Sequence, residues 1–152
     1  MFHSIELEWI RAIHQFRTPF LDGFFKALNF FDRFEFFFIL IPLVWALKEW
    51  RTGTKFFYIL LLSNVANLTL KKAFGVPRPC LVDPSLGLLK IHEFSFPSGA
   101  AQTVILLSGL LVSSWSHFLR WPIALLYIAF ISFSRMYLGV HFPSDILAGW
   151  IV

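Results

Sequence analysis

Four long apolar runs divide this chain, and they constrain its fold more than any other feature. They are Phe34–Leu47, Phe56–Ala73, Gly99–Trp115 and Phe118–Phe133, and each reads as a helix. Together they hold more apolar surface than one small core could hide from water. Hydrophobic residues make up 57% of the 152 and charged residues only 14%, with 20 phenylalanines, whereas soluble domains carry about 25% charge. The mean hydropathy is +0.69. Spanning a bilayer takes about 20 residues per helix, so a chain this long has room for four to six spans. The predicted fold class is all-α, a polytopic transmembrane helical bundle forming one membrane-embedded domain over residues 1–152. A fifth apolar run starts at Pro143 and reaches Val152 after about half the length of a span, which reads as a truncated last helix.

Residues 1–31 are amphipathic. Ile5, Trp9, Ile13 and Phe16 share one helical face, and Leu21, Phe24, Phe25, Leu28 and Phe31 repeat the pattern. Arg11, Arg17, Asp22 and Lys26 interrupt any long apolar run, so an interfacial helix or hairpin is expected, broken at Thr18-Pro19. Glu6 and Glu8 argue against a cleavable signal. The net charge of +4 comes without a basic run, so it points to topology rather than nucleic acid. Lys48–Lys55 and Ser116–Arg120 read as cytoplasmic loops. Lys71–Pro97 and Ser134–Ser144 then share the opposite, extracytoplasmic face. Cys80 is the sole cysteine, which excludes an internal disulfide and a cysteine-built zinc site.

Polar residues at membrane depth are costly and mark pairing or function. Asn64, Asn67 and Lys71 fall three and four apart, a stripe along one helix. For the asparagines, hydrogen bonding between helices is the favoured reading. Lys71 is followed by Arg78 across Gly75-Val76-Pro77. Two cations at a helix end can snorkel to the interface or clamp a phosphate. Pro97-Ser98-Gly99 opens an apolar helix, offering either an ordinary serine cap or free N–H groups for an anion. Arg135 precedes a short loop holding His141, and Asp145 follows four residues later in the first turn of a helix started by Pro143. A carboxylate at that spacing can accept the imidazole N–H and fix its tautomer.

Lys71-x6-Arg78-Pro79, Pro97-Ser98-Gly99 and Ser134-Arg135-x5-His141-x3-Asp145 together resemble the type 2 phosphatidic acid phosphatases, integral-membrane lipid phosphate phosphatases. Phe20-Leu21-Asp22-Gly23-Phe24-Phe25-Lys26 is also similar to bacterial members, and the motif-bearing region covers residues 71–145. The resemblance implies a six-helix core in a bacterial inner membrane and hydrolysis without metal or other cofactor through a phosphohistidine. By it, His141 is the nucleophile and Asp145 its orienter. Lys71, Arg78, Ser98, Arg135 and the Gly99 backbone hold phosphate. The implied partners are a lipid phosphate or lipid diphosphate substrate and the bilayer, with nucleic acid excluded and no oligomeric state indicated.

One position departs from the family pattern. The second motif ends in a histidine that protonates the leaving alkoxide, and here the residue is Ala100. Losing a general acid typically costs 10²–10⁴-fold. Four explanations stand open: an engineered replacement, a naturally silent lipid-phosphate binder, a substitute acid, or a leaving group that needs little protonation. His92 is the substitute named, with Glu93 beside it. His3, His14 and His117 lie outside the motifs and read as interfacial or loop residues. Leu86-Gly87-Leu88-Leu89 either touches lipid tails or packs on helix ends. A small transporter is disfavoured, since no span carries paired acids and no inverted repeat is visible.

Overall fold

In the computed structural model, residues 2–47, 50–89 and 91–152 are described, and no strand occurs among them. The chain opens with α1 (Phe2–His14) and α2 (Pro19–Leu28), joined at the expected Thr18-Pro19 break. Thr18 Oγ1 accepts from Leu21 N at 3.2 Å and Pro19 takes the first helical position, so both local signals start α2. The amphipathic face of α2 turns inward at Phe25, whose ring lies 4.2 Å from Tyr137, centroid to centroid.

Next come α3 (Phe34–Leu47), α4 (Trp50–Phe74), the single turn α5 (Pro79–Val82), α6 (Gly99–Ser114), α7 (Arg120–Tyr137) and α8 (Pro143–Ile151). Two expected boundaries move. Trp50–Lys55, read as loop, forms the first turns of α4; Lys48 and Glu49 of that stretch lie outside the described residues. Arg51 and Lys55 are good helix formers, and Gly53 between them is a buried position where a Cβ would strike the Trp45 ring, so neither the charge nor the glycine ends the helix. Ser134–Tyr137, also read as loop, is the last turn of α7, and only Leu138–Phe142 separates it from α8. One helical stretch, Trp50–Val82, is long and apolar enough to cross a bilayer by itself, while Glu35–Leu47 and Gly99–Ser114 are apolar but shorter. Phe38, Leu62, Val65, Leu125 and Leu126 all point outward, the arrangement expected where lipid is the solvent.

α6 is central, packing along α4, α7 and α8. Two glycines end the helices that lead into the polar face. Gly75 (φ +60°) closes α4 with its N–H on Lys71 O at 2.9 Å. Gly139 (φ +68°) follows α7 so closely under Leu86 that a Cβ there would strike the Leu86 carbonyl. Four backbone hydrogen bonds then hold the 76–98 loop, three to its neighbours and one across the loop itself. Cys80 N bonds Gly139 O at 3.0 Å, Leu88 N bonds Leu138 O at 3.2 Å, Ser95 N bonds Val76 O at 2.7 Å and Ser98 N bonds Asp145 O at 2.9 Å. Leu86 packs with Leu7, Ile10 and Phe142, and Leu88 and Leu89 lie against the Phe25–Tyr137 cluster. Of its two readings, the Leu86–Leu89 loop adopts packing on helix ends.

Candidate active site

The end of α4, the 76–98 loop, the start of α6 and the α7–α8 turn meet at one end of the bundle. His141 is carried on the α7–α8 turn, 3% exposed. Arg78 Nη1 donates to His141 Nε2 at 3.1 Å and to Val140 O at 3.0 Å, while Arg78 Nε donates to Glu93 O at 2.8 Å. A guanidinium has only donors. The bond at Nε2 therefore requires a lone pair there and places the ring proton on Nδ1. Burial pushes the imidazole down to about 3, opposed by the Asp145 carboxylate and reinforced by Arg78 and Lys71. His141 is thus a neutral base at pH 7 with Nε2 beside a cation.

Asp145 lies behind the ring, fully buried, with Oδ2 3.5 Å from His141 Nδ1. The same Oδ2 accepts from Phe142 N at 2.7 Å, so the carboxylate also caps the first turn of α8. Lys71 Nζ, one turn before the Gly75 break, donates to Phe94 O at 2.7 Å. Lys71, Arg78, Gly99, Ala100 and His141 line one cavity of about 570 Å³, whose walls continue down α3 and α4 through Phe37, Ile41, Phe57 and Leu61. Positive charge and an imidazole thus share a helix-walled space with a row of apolar side chains from α3 and α4. A phosphate joined to a hydrocarbon chain has that pattern of chemistry.

The other expected site residues fall elsewhere. Ser98 is fully buried, and its Oγ caps its own helix by accepting from Ala101 N at 3.4 Å. Arg135 is 1% exposed and does not line the cavity. Its Nη1 donates to Asn29 Oδ1 at 2.8 Å and its Nε to Ser134 Oγ at 3.2 Å. His92 is exposed and absent from the cavity walls, whereas the neighbouring Glu93 lines them. His14 lies outside the site with Nε2 2.8 Å from Tyr137 O, and His117 stacks on Trp115.

Several participants carry no motif signal. Asn67 Nδ2 donates to Gln102 Oε1 at 2.8 Å and Gln102 Nε2 donates to Ser63 O at 3.2 Å, which joins α4 to α6 under the site. The interhelical reading of Asn67 accounts for this pair. Glu6 accepts from Ser144 N at 2.8 Å and Ser144 Oγ at 3.1 Å, holding the start of α8 from the N-terminal helix. Ser95 Oγ reaches Asp145 Oδ2 and stands 3.3 Å from His141 Nδ1.

Residues 52–152, which include the three motifs between Lys71 and Asp145, match the family model described as the PAP2 superfamily. The chain belongs to the PAP2 superfamily. Among its relatives is an undecaprenyl-diphosphatase from Sulfolobus acidocaldarius, 29% identical over 98% of this chain and 73% of the relative. Aquifex aeolicus LpxE has a crystal structure that superposes with a TM-score of 0.83 at 28% identity, covering 95% of this chain and 87% of LpxE. A transmembrane PAP2-type phosphatidylglycerolphosphate phosphatase from Bacillus subtilis shares the fold, with a TM-score of 0.82 at 24% identity over 97% of this chain and 78% of the other. The all-helical PAP2 architecture predicted from the motifs is therefore the architecture found, and the PAP2 relatives are membrane lipid phosphatases.

Proposed function

We propose that this PAP2 protein hydrolyses a phosphomonoester or diphosphate of a membrane lipid, with His141 as the phosphoryl acceptor. The observation carrying this reading is the neutral His141 Nε2 beside Arg78, in a cavity that α3 and α4 extend with Phe37, Ile41, Phe57 and Leu61. Phosphoryl transfer depends mainly on positioning and charge stabilisation. Lys71 and Arg78 supply the charge, with the N-terminal N–H groups of α6 at Gly99 beside them.

The steps balance simply. The phosphate takes over the guanidinium of Arg78, which frees the Nε2 lone pair. A P–Nε2 bond forms as the bond from phosphorus to the leaving oxygen breaks. Charge developing on the ring is stabilised through Nδ1–H by Asp145. Water then displaces His141 from phosphorus, releasing phosphate and restoring the neutral ring.

Ala100 bears on the substrate. A methyl group cannot protonate a leaving alkoxide, and the one carboxyl group among the cavity-lining residues is Glu93. A lipid diphosphate expels a phosphate anion, which leaves without a strong acid, so it suits this site better than a monoester. The cavity sits among membrane helices, and the active site is assigned to the extracytoplasmic face on the charge of the loops. Ala100 also favours a second reading, a silent binder of lipid phosphates. Phosphate release by detergent-purified protein across lipid monophosphates and diphosphates separates the two. Hydrolysis is expected, fastest on diphosphates and abolished by His141→Ala. Arg78-dependent binding with no turnover on any substrate would leave only the binder.

A further inference from the structure

Asp145 and His141 are not in simple direct contact. Their Nδ1–Oδ2 separation of 3.5 Å is long for a hydrogen bond. Ser95 fills the gap. It lies between Phe94 and Phe96 in the 76–98 loop, fully buried, with its backbone N–H fixed on Val76 O at 2.7 Å. Its Oγ is 3.3 Å from His141 Nδ1, closer than the carboxylate, and it bonds Asp145 Oδ2.

The donors and acceptors fall into one order. Arg78 can only donate to Nε2, so Nδ1 holds the ring proton. An ionised Asp145 can only accept, so the Ser95 hydroxyl proton points to Oδ2. That leaves a Ser95 lone pair for Nδ1–H. We infer that Ser95 is a positioning residue, a hydroxyl bridge between His141 Nδ1 and Asp145 that holds the imidazole ring in the orientation presenting Nε2 to the cavity. The inference builds on the reading of His141 as the phosphoryl acceptor. No proton changes owner in the bridge. When the P–Nε2 bond forms, both hydrogen bonds shorten against the growing positive charge on the ring, and both relax when water removes the phosphoryl group.

A serine that merely satisfied a buried polar spot would leave the Nδ1–H hydrogen bond unchanged when removed. A bridging serine would not. The test uses the protein labelled with ¹⁵N-histidine in detergent micelles, with the His141 signals identified by their loss in His141→Ala. The bridge predicts a protonated Nδ1 with a downfield, hydrogen-bonded proton in the parent protein. Ser95→Ala should move that Nδ1–H resonance upfield and give a kcat on lipid diphosphate lower by roughly 10–100-fold, the range for losing a partner that orients a ligating histidine. KM should stay within about twofold, because Ser95 does not touch substrate. Ser95→Thr keeps the hydroxyl and should keep the Nδ1–H resonance and most of kcat. It also serves if the alanine variant fails to fold.

An unchanged Nδ1–H resonance in Ser95→Ala overturns the bridge, whatever happens to kcat. If alanine folds poorly, a parent-like kcat in Ser95→Cys, whose thiol bonds weakly, overturns it equally. A shifted Nδ1–H resonance in a protein that hydrolyses no lipid phosphate upholds the bridge while removing the hydrolase reading.

Discussion

The wall of the cavity that bears His141 and the wall that bears Ala100 are built to different standards. Around His141 the polar atoms are organised two layers deep: Arg78 on Nε2, Ser95 and Asp145 behind Nδ1, and the Phe142 N–H on the carboxylate. Ala100 belongs instead to an apolar cluster with Val104 and Ile131, with Leu28 and Phe31 packed against it. One wall is equipped to accept a phosphoryl group. The other offers the departing oxygen a methyl group where an acid would stand. The difference separates two chemical duties that PAP2 motifs usually present together, and it makes leaving-group chemistry the variable that decides what this site can turn over.

Restoring a general acid should blur that contrast most. Ala100→His is expected to raise kcat on a lipid monophosphate by about 10²–10⁴-fold, with a far smaller gain on a diphosphate, as read by phosphate release. The added ring must fit beside Val104 and Ile131, so a lower Tm should accompany the gain, from an overpacking cost of about 1–3 kcal/mol. Equal gains on both substrates would mean that the two walls do not divide the work in this way. Weakening the better-built wall comes next. Arg78→Lys keeps the charge but loses the guanidinium that serves Nε2, Val140 O and Glu93 O at once. A fall in kcat/KM of about 10²–10³-fold is expected, the range for losing an oxyanion donor, and a change under threefold would remove Arg78 from the site.

The contrast was only partly legible in the sequence, for physical reasons. Helix starts were readable because they are written locally: Thr18-Pro19, Ser98-Gly99 and Pro143 each begin the helix they announce. Boundaries marked only by charge were not. Arg51 and Lys55 continue α4, and Arg135 stays inside α7 because Asn29, 106 residues away, accepts from its guanidinium. In the site, Lys71, Arg78, His141 and Asp145 stand at motif spacing and were named from it. Ser95 and Glu93 were not assigned roles at His141 and Arg78, because those contacts depend on how the 76–98 loop folds over α8. Ser98 and Arg135 carry the motif but face into the protein, which spacing alone could not reveal.

The smallest expected effect concerns pH. With His141 pushed down to about 3 in the folded protein, against about 6.5 for a free imidazole, the unfolded chain binds the extra proton first as pH falls. Stability tied to this neutral ring is therefore complete above about 6.5 and is lost progressively toward 3. For the same reason kcat/KM should show no histidine inflection near 6.5. A full acid limb at that pH, retained in Glu93→Gln, would mean that His141 is not held neutral by its wall.

The most direct measurement is a rapid quench of the purified protein with ³²P-labelled lipid diphosphate. The expected result is a phosphoryl-protein that survives base, is lost in acid as a phosphohistidine should be, and is absent in His141→Ala. Steady phosphate release with no labelled protein at any quench time, unchanged by His141→Ala, would contradict it.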